Sequence, residues 1–385
     1  MDYDCTDYSN CPKEIANIEN FAINNEEFNF LFVGCWGVYG KQGEYKEENW
    51  NQENKKWKQK TKTYGQKSVV EAMKQFVEKN GKQQAVILAG DNVYSDSEIP
   101  LDDKFKNDIE LYGKHYSYNM DKQFEKGFLE CMAQVPTDHF LIGVGNHDIE
   151  TCENINKQLK FSNWTMPGLS YKIMYENPEK MFNVNLIFID TNMYKKKWCF
   201  KEGTPLQEQT YPKNAIQQQE DWLEKTLDKS TDTWNIVIGH IPFYCVSHKP
   251  PTNPKKLEIF NEDLYNLMVK YADDIDLYMC ADEHNQQYIT GLVHHDHKKP
   301  TYIDDDDDDD TKILLPPQVI AGSGGTCLDT EFHFIKGSVL EKATKHHVSV
   351  FGFVSVKVDN EKIIVNFQDN QENKLAEFDI DKKRF

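Results

Sequence analysis

Five short clusters, each directly after an apolar run, hold the residues of this chain best suited to chemistry: GCWG at 34–37, GDNVY at 90–94, GNHD at 145–148, GHIP at 239–242 and MCADEHNQQY at 279–288. They offer carboxylate, phenol, amide and imidazole groups. Converged on one rim, such hard and borderline donors suit a two-metal centre. Two ions about 3.5–4 Å apart can clamp a phosphoryl group and make hydroxide from water near neutral pH. Taken singly the clusters say little, because a histidine after a strand is more often structural. Their number and order carry the reading.

For the clusters to meet, strands must deliver them. Short β-rich runs are predicted at 28–33, 85–89, 139–144, 184–190, 234–239, 275–280 and 318–321, and helices at 66–79, 215–227 and 257–271. A closing hairpin is predicted over 351–358 and 362–368. Strands separated by helices imply an α/β, layered architecture, with ligand loops gathered at the carboxyl ends of the strands. Three segments interrupt the rhythm: an acidic N-terminal arm over 1–27, a polar stretch at 41–64, and seven aspartates at 304–310. The remainder, 28–385, reads as one domain. The 41–64 stretch is too poor in apolar residues to order itself alone and is expected as an insertion or loop. The aspartate run reads most plainly as a solvated loop, and alternatively as a tether for a basic partner or a loose cation site.

The 385 residues leave one or two domains open, and 39% hydrophobic residues suffice for a core. A net charge of −19 argues against a nucleic-acid partner, whose affinity comes chiefly from Lys and Arg. A phosphorylated substrate would need a locally positive site, which bound metal supplies. No signal-peptide pattern and no membrane-length apolar run is present, so the expectation is an intracellular, cytoplasmic chain without a membrane partner. The nine cysteines, Cys5, Cys11, Cys35, Cys131, Cys152, Cys199, Cys245, Cys280 and Cys327, are scattered and odd in number, which suggests reduced thiols. His294, His295 and His297 sit among lysines and are expected on the surface, without a role.

In order and spacing the clusters resemble the GDWG, GDNFY, GNHD, GHYP and GHDHxxQ series of the tartrate-resistant (type 5) purple acid phosphatases, within the calcineurin-like metallophosphoesterases. QVIAGSGG at 318–325 and the Gly352-Phe353 pair resemble the last core strands of that family. The resemblance implies a β-sandwich of two mixed sheets flanked by helices. It also implies phosphomonoester hydrolysis and two metal ions, iron paired with iron, zinc or manganese. By position, the first ion would be held by Cys35, Asp91, Tyr94 and His284, and the second by Asp91, Asn146, His240 and Asp282. His147 would contact phosphate, and His248 would protonate the leaving alkoxide.

Two positions depart from the series. Cys35 stands where the family has aspartate, and Asp282 where it has the first histidine of GHDH. A thiolate favours zinc-like ions and a carboxylate favours magnesium, manganese or calcium. If all are ionised, Cys35, Asp91, Tyr94 and Asp282 supply four negative charges against three in the family shell. That should raise the pKa of bound water and weaken attraction for phosphate. Two metals, one or none therefore remain open. So do three functions: an impaired or altered phosphomonoesterase, an esterase acting on a diester or nucleotide, and an intracellular pseudophosphatase. The last would join a protein assembly through the acidic segments.

Overall fold

Five of the six residues of FNFLFV at Phe28–Val33 are apolar, and both of its faces are covered: Phe28, Phe30 and Phe32 enter one core while Leu31 and Val33 enter another. Two-sided burial of this kind belongs to a central strand with a layer on each face. The computed structural model describes residues 15–382 apart from 23–25, 40–42, 52–55, 95–117, 119, 150–151, 178, 180–181, 195–213, 231, 248–259, 296–299, 304–311, 331 and 333–336. His248, His297 and the aspartate run at 304–310 lie outside the described residues.

Phe28–Val33 is inside a six-stranded mixed sheet, ordered Lys374–Asp381, Lys362–Asp369, Gly352–Val358, Phe28–Val33, Gln83–Ala89, Thr137–Gly143. Its last three strands are mutually parallel. An eight-stranded mixed sheet runs Ile15–Ala22, Ser170–Asn177, Phe182–Phe188, Thr233–Ile238, Leu277–Cys280, Gln318–Ala321, Gln286–Ile289, Thr344–Val348. Here Phe182–Phe188, Thr233–Ile238, Leu277–Cys280 and Gln318–Ala321 are parallel. The sheets face each other over one core, in which Phe30, Ile87 and Val356 meet Val184, Ile236 and Met279.

Helices cover the outer faces. Gln66–Asn80 places Val69, Val70, Met73 and Val77 on the six-stranded sheet. Ala215–Thr226 and Glu262–Lys270 place Leu223, Leu264, Leu267 and Met268 on the eight-stranded one. Each such side chain contributes about 1.5–3 kcal/mol when buried. The fold is thus the expected sandwich of two mixed sheets between helices, and each sheet holds parallel strands aimed at one rim.

Three expectations need correction. The polar stretch read as a loop is an antiparallel hairpin, Gly43–Asn51 against Lys56–Tyr64, with Glu47 in register opposite Lys60 and Trp50 opposite Trp57. A ladder between the two strands pairs the inward-facing half of their backbone groups, an ordering that composition alone does not reveal. Part of the segment read as an arm, Ile15–Ala22, is an edge strand paired in parallel with Ser170–Asn177. His295, expected on the surface, is fully buried, with Nε2 2.7 Å from Thr301 Oγ1.

Candidate metal centre

At the rim, three strands of the six-stranded sheet run out into Gly34-Cys35, Gly90-Asp91 and Gly145-Asn146, and two of the eight-stranded sheet into Gly239-His240 and Ala281-Asp282. Backbone bonds tie these loops together. The Cys35 N–H donates to Gly90 O at 3.0 Å, Gly34 N–H to Ala321 O at 2.9 Å, and Ala281 N–H to His240 O at 2.9 Å.

The chain leaves the strands in tight turns. Cys35, Asp91 and Asp282 have φ of 55°, 52° and 61°, the left-handed region that non-glycine residues seldom adopt. Each such residue costs about 1–3 kcal/mol and persists only where its surroundings fix it. Gly90, at φ 89°, shows how closely: a Cβ there would lie 2.4 Å from Gly145 N and 2.6 Å from His240 Nδ1.

Asp91 is the centre of the cluster. Its Oδ2 accepts from the Tyr94 hydroxyl at 2.8 Å and lies 3.9 Å from Cys35 Sγ. Its Oδ1 accepts from His147 N–H at 3.1 Å and lies 3.3 Å from His240 Nε2. One oxygen therefore serves each half of the rim. Tyr94 Oη is 3.5 Å from His284 Nε2, and Asp282 Oδ1 is 3.6 Å from His240 Nε2.

Both histidines are pinned in the same way. Nδ1–H of His240 donates to Ala89 O at 2.7 Å, and that of His284 to Cys327 O at 2.9 Å. Such bonds fix tautomer and ring orientation and leave Nε2 available, as in the second layer of metal sites. Asn146 Oδ1 is buried without a hydrogen-bond partner, an acceptor that a cation would satisfy. The His147 ring stands 4.5 Å, centre to centre, from the Tyr94 ring.

Burial sets the protons of the isolated cluster. It pushes the Cys35 thiol up to about 12, against the pull of His284 and with help from Asp91 and Asp282. Burial, then the Asp91 charge, raises the Tyr94 phenol well above its ordinary range. Burial also opposes charge on Asp91, yet the neighbouring His240 and His147 outweigh it and hold the carboxyl below the usual range. Burial disfavours the imidazolium of His240, but Asp91 and Asp282 lift it; His284 is lifted likewise by the Cys327 carbonyl and Cys35.

The supporting groups could not be picked out from residue types alone. Asp148, fully buried, accepts from Asn92 N–H at 2.9 Å, Val93 N–H at 3.1 Å and Gly145 N–H at 2.7 Å, so it latches the Asp91 loop to the Asn146 loop. Thr191 Oγ1 accepts from His240 N–H at 3.1 Å and Ile241 N–H at 3.0 Å. Asp329 receives the His284 N–H at 2.8 Å. Asp148 at least closes the GNHD cluster; Thr191 and Asp329 leave no local signature.

The structure thus brings Cys35, Asp91, Tyr94, His147, His240, Asp282 and His284 into one cluster, with the half-buried Asn146 next to His147. Among the described residues, Cys35, Asp91 and His284 form a group whose donor atoms all lie within 4.8 Å of one another. Thiol, carboxylate, imidazole, phenol and an unpaired amide oxygen make a donor set that fits metal.

A sandwich of two mixed sheets with oxygen, nitrogen and sulfur donors gathered on its parallel rim defines a phosphoesterase class, and the sequence profile of the calcineurin-like phosphoesterases matches residues 28–286. The chain belongs to that family. Tartrate-resistant acid phosphatase type 5 of Oryctolagus cuniculus is 25% identical over 205 residues, 47% of this chain and 58% of that protein. The Homo sapiens protein of the same name is 24% identical over 179 residues, 44% and 51%. The chain therefore spans little more than half the length of these curated relatives. A solved structure described as GAP50, the anchor in the inner membrane complex of Plasmodium, superposes with a TM-score of 0.55 at 15% identity, covering 94% of this chain and 90% of the other. That likeness concerns the fold. No helix among the described residues is long and apolar enough to cross a membrane.

Proposed function

We propose that the chain is a purple acid phosphatase-like metallophosphoesterase with an altered centre, acting on phosphomonoesters at reduced turnover. One observation supports this above the rest: His240 and His284, pinned at Nδ1, direct Nε2 to within 3.3–3.6 Å of Asp91, Asp282 and Tyr94 oxygens. That is more order than a structural pair of histidines requires.

In this reading Cys35, Asp91, Tyr94 and His284 hold one ion and Asp91, Asn146, His240 and Asp282 the other, with Asp91 shared. When bound, the ions polarise a phosphoryl oxygen and acidify water. The protein's own residues orient and exchange protons. His147, fixed by its N–H bond to Asp91 and its ring against Tyr94, presents its imidazole to the substrate phosphate. His248 supplies a proton to the departing alkoxide. Asp282 adds a negative charge where an incoming phosphate must approach, which is the reason for reduced turnover.

The test is hydrolysis of p-nitrophenyl phosphate by purified protein supplied in turn with iron, zinc, manganese and magnesium. Turnover that disappears in Asp91→Asn supports the reading. Metal-loaded protein without any turnover overturns it. A second reading, an intracellular pseudophosphatase serving as a binding subunit through its acidic segments, takes its support from sharing a fold with a protein that is itself described as an anchor. It predicts a co-purifying protein partner and no hydrolysis.

A further inference from the structure

The two halves of the rim offer different donors. On one side Cys35 Sγ, Asp91 Oδ2, Tyr94 Oη and His284 Nε2 surround a common point. Sγ to Oδ2 is 3.9 Å, Oδ2 to Oη 2.8 Å, and Oη to Nε2 3.5 Å. A tetrahedral ion with a bond of about 2.3 Å to sulfur and about 2.0 Å to nitrogen or oxygen sets sulfur and oxygen donors about 3.5 Å apart. The sulfur is thus a few tenths of an ångström from where such an ion would draw it.

On the other side His240 Nε2 lies between Asp91 Oδ1 at 3.3 Å and Asp282 Oδ1 at 3.6 Å. Unlike the first three donors, these do not close into a mutually compact group. Asp282, a shorter side chain than an imidazole, meets this half of the rim through His240 at 3.6 Å.

We propose that the Cys35, Asp91, Tyr94 and His284 position is a thiolate site for a zinc-class divalent ion that holds its ion tightly, while the Asp91, Asn146, His240 and Asp282 position fills only in excess free metal, so that one ion and not two survives removal of unbound metal. A thiolate in a four-donor site selects borderline, soft-tolerant ions such as zinc or cobalt over ferric iron. The inference takes the position of the centre from the metallophosphoesterase reading but does not depend on turnover.

The experiment loads metal-free protein with cobalt(II) alone, removes the excess by gel filtration, and measures the metal-to-chain ratio and the absorption spectrum. Expected are one retained cobalt per chain and a thiolate-to-cobalt charge-transfer band in the near ultraviolet. Zinc should erase that band and Cys35→Ser should abolish it. Cys35→Asp, whose aspartate suits φ 55° better than most side chains, is the second variant should serine disturb folding; it must lose the band while circular dichroism stays native. Asp282→His should raise the retained ratio from one to two.

Two cobalt ions retained by the native chain, one ion without the band, or a band that survives Cys35→Ser in folded protein would each overturn the proposal. The outcomes separate it from the functional reading. A one-ion thiolate site without hydrolysis overturns the esterase reading alone. Hydrolysis by a two-ion protein without a thiolate band overturns this inference alone.

Discussion

His240 and His284 at the rim, and His346 and His347 on the strand Thr344–Val348, are two pairs of imidazoles in one sheet's surroundings, His240 buried and the other three half-buried. The rim pair is lifted above its ordinary range, because Asp91, Asp282 and backbone carbonyls answer its charge. The strand pair has aromatic neighbours. His346 lies 4.6 Å from the Phe367 ring and His347 4.0 Å from that of Phe332, and burial pushes both down to about 4, His346 adding to the effect on His347. Burial opposes charge in both places. At the rim the carboxylates and carbonyls outweigh burial, and on the strand burial prevails.

The sharpest way to break the contrast is Asp91→Asn, which removes the charge shared by both halves of the rim and leaves one of them facing an amide NH2 instead of a carboxylate oxygen. Metal retention, read by elemental analysis, and p-nitrophenyl phosphate turnover should both fall to background. That loss exceeds the 10–100-fold (order of magnitude) effect of removing a second-layer partner. Next comes acid stability. The strand histidines titrate near 6.5 when unfolded and about 4 when folded, so their contribution is complete above about 6.5 and is lost as pH falls toward 4, where the unfolded chain binds protons that the fold refuses. The melting temperature should drop by several degrees over that window, and His346→Gln with His347→Gln should flatten the slope.

A smaller effect is expected at Thr191→Val, which strips the acceptor from His240 and Ile241 N–H. Leaving buried donors unpaired costs about 1–3 kcal/mol. Chemical denaturation should show that loss, and turnover should fall through misplacement of His240 while the acid slope stays as it was. Least of all should come Lys362→Ala, which removes an exposed 2.8 Å pair with Asp379; denaturation should shift by about 0–1 kcal/mol.

The parts legible in the sequence were those in which one segment states its own structure. FLFV at 30–33 and AVILA at 85–89 are continuous apolar runs followed by Gly-Cys and Gly-Asp, so strand and site loop are written side by side. Ile15–Ala22 and Lys374–Asp381 were harder, because edge strands mix polar and apolar residues and their pairing depends on distant partners. The Asp148 latch was half visible: the residue closes GNHD, but its donors arrive from residues 92 and 93 on another strand end. The left-handed turns at Cys35, Asp91 and Asp282 had no signal, since aspartate tolerates that region and cysteine does not advertise it. His295 was misplaced for a similar reason, its lysine-rich surroundings hiding a bond to Thr301 six residues on.

The polar hairpin has one more consequence. Gly43 and Tyr64 stand opposite each other in its register, and Tyr64 is followed at once by Gly65 and the helix Gln66–Asn80. The ladder therefore returns the chain to where it left. Whatever lies between those two residues is a self-closed excursion, and its length adds only the slow logarithmic cost of a longer loop. This makes the segment a natural point of modularity. A short turn replacing 44–63 would therefore leave the strand order of both large sheets as it is.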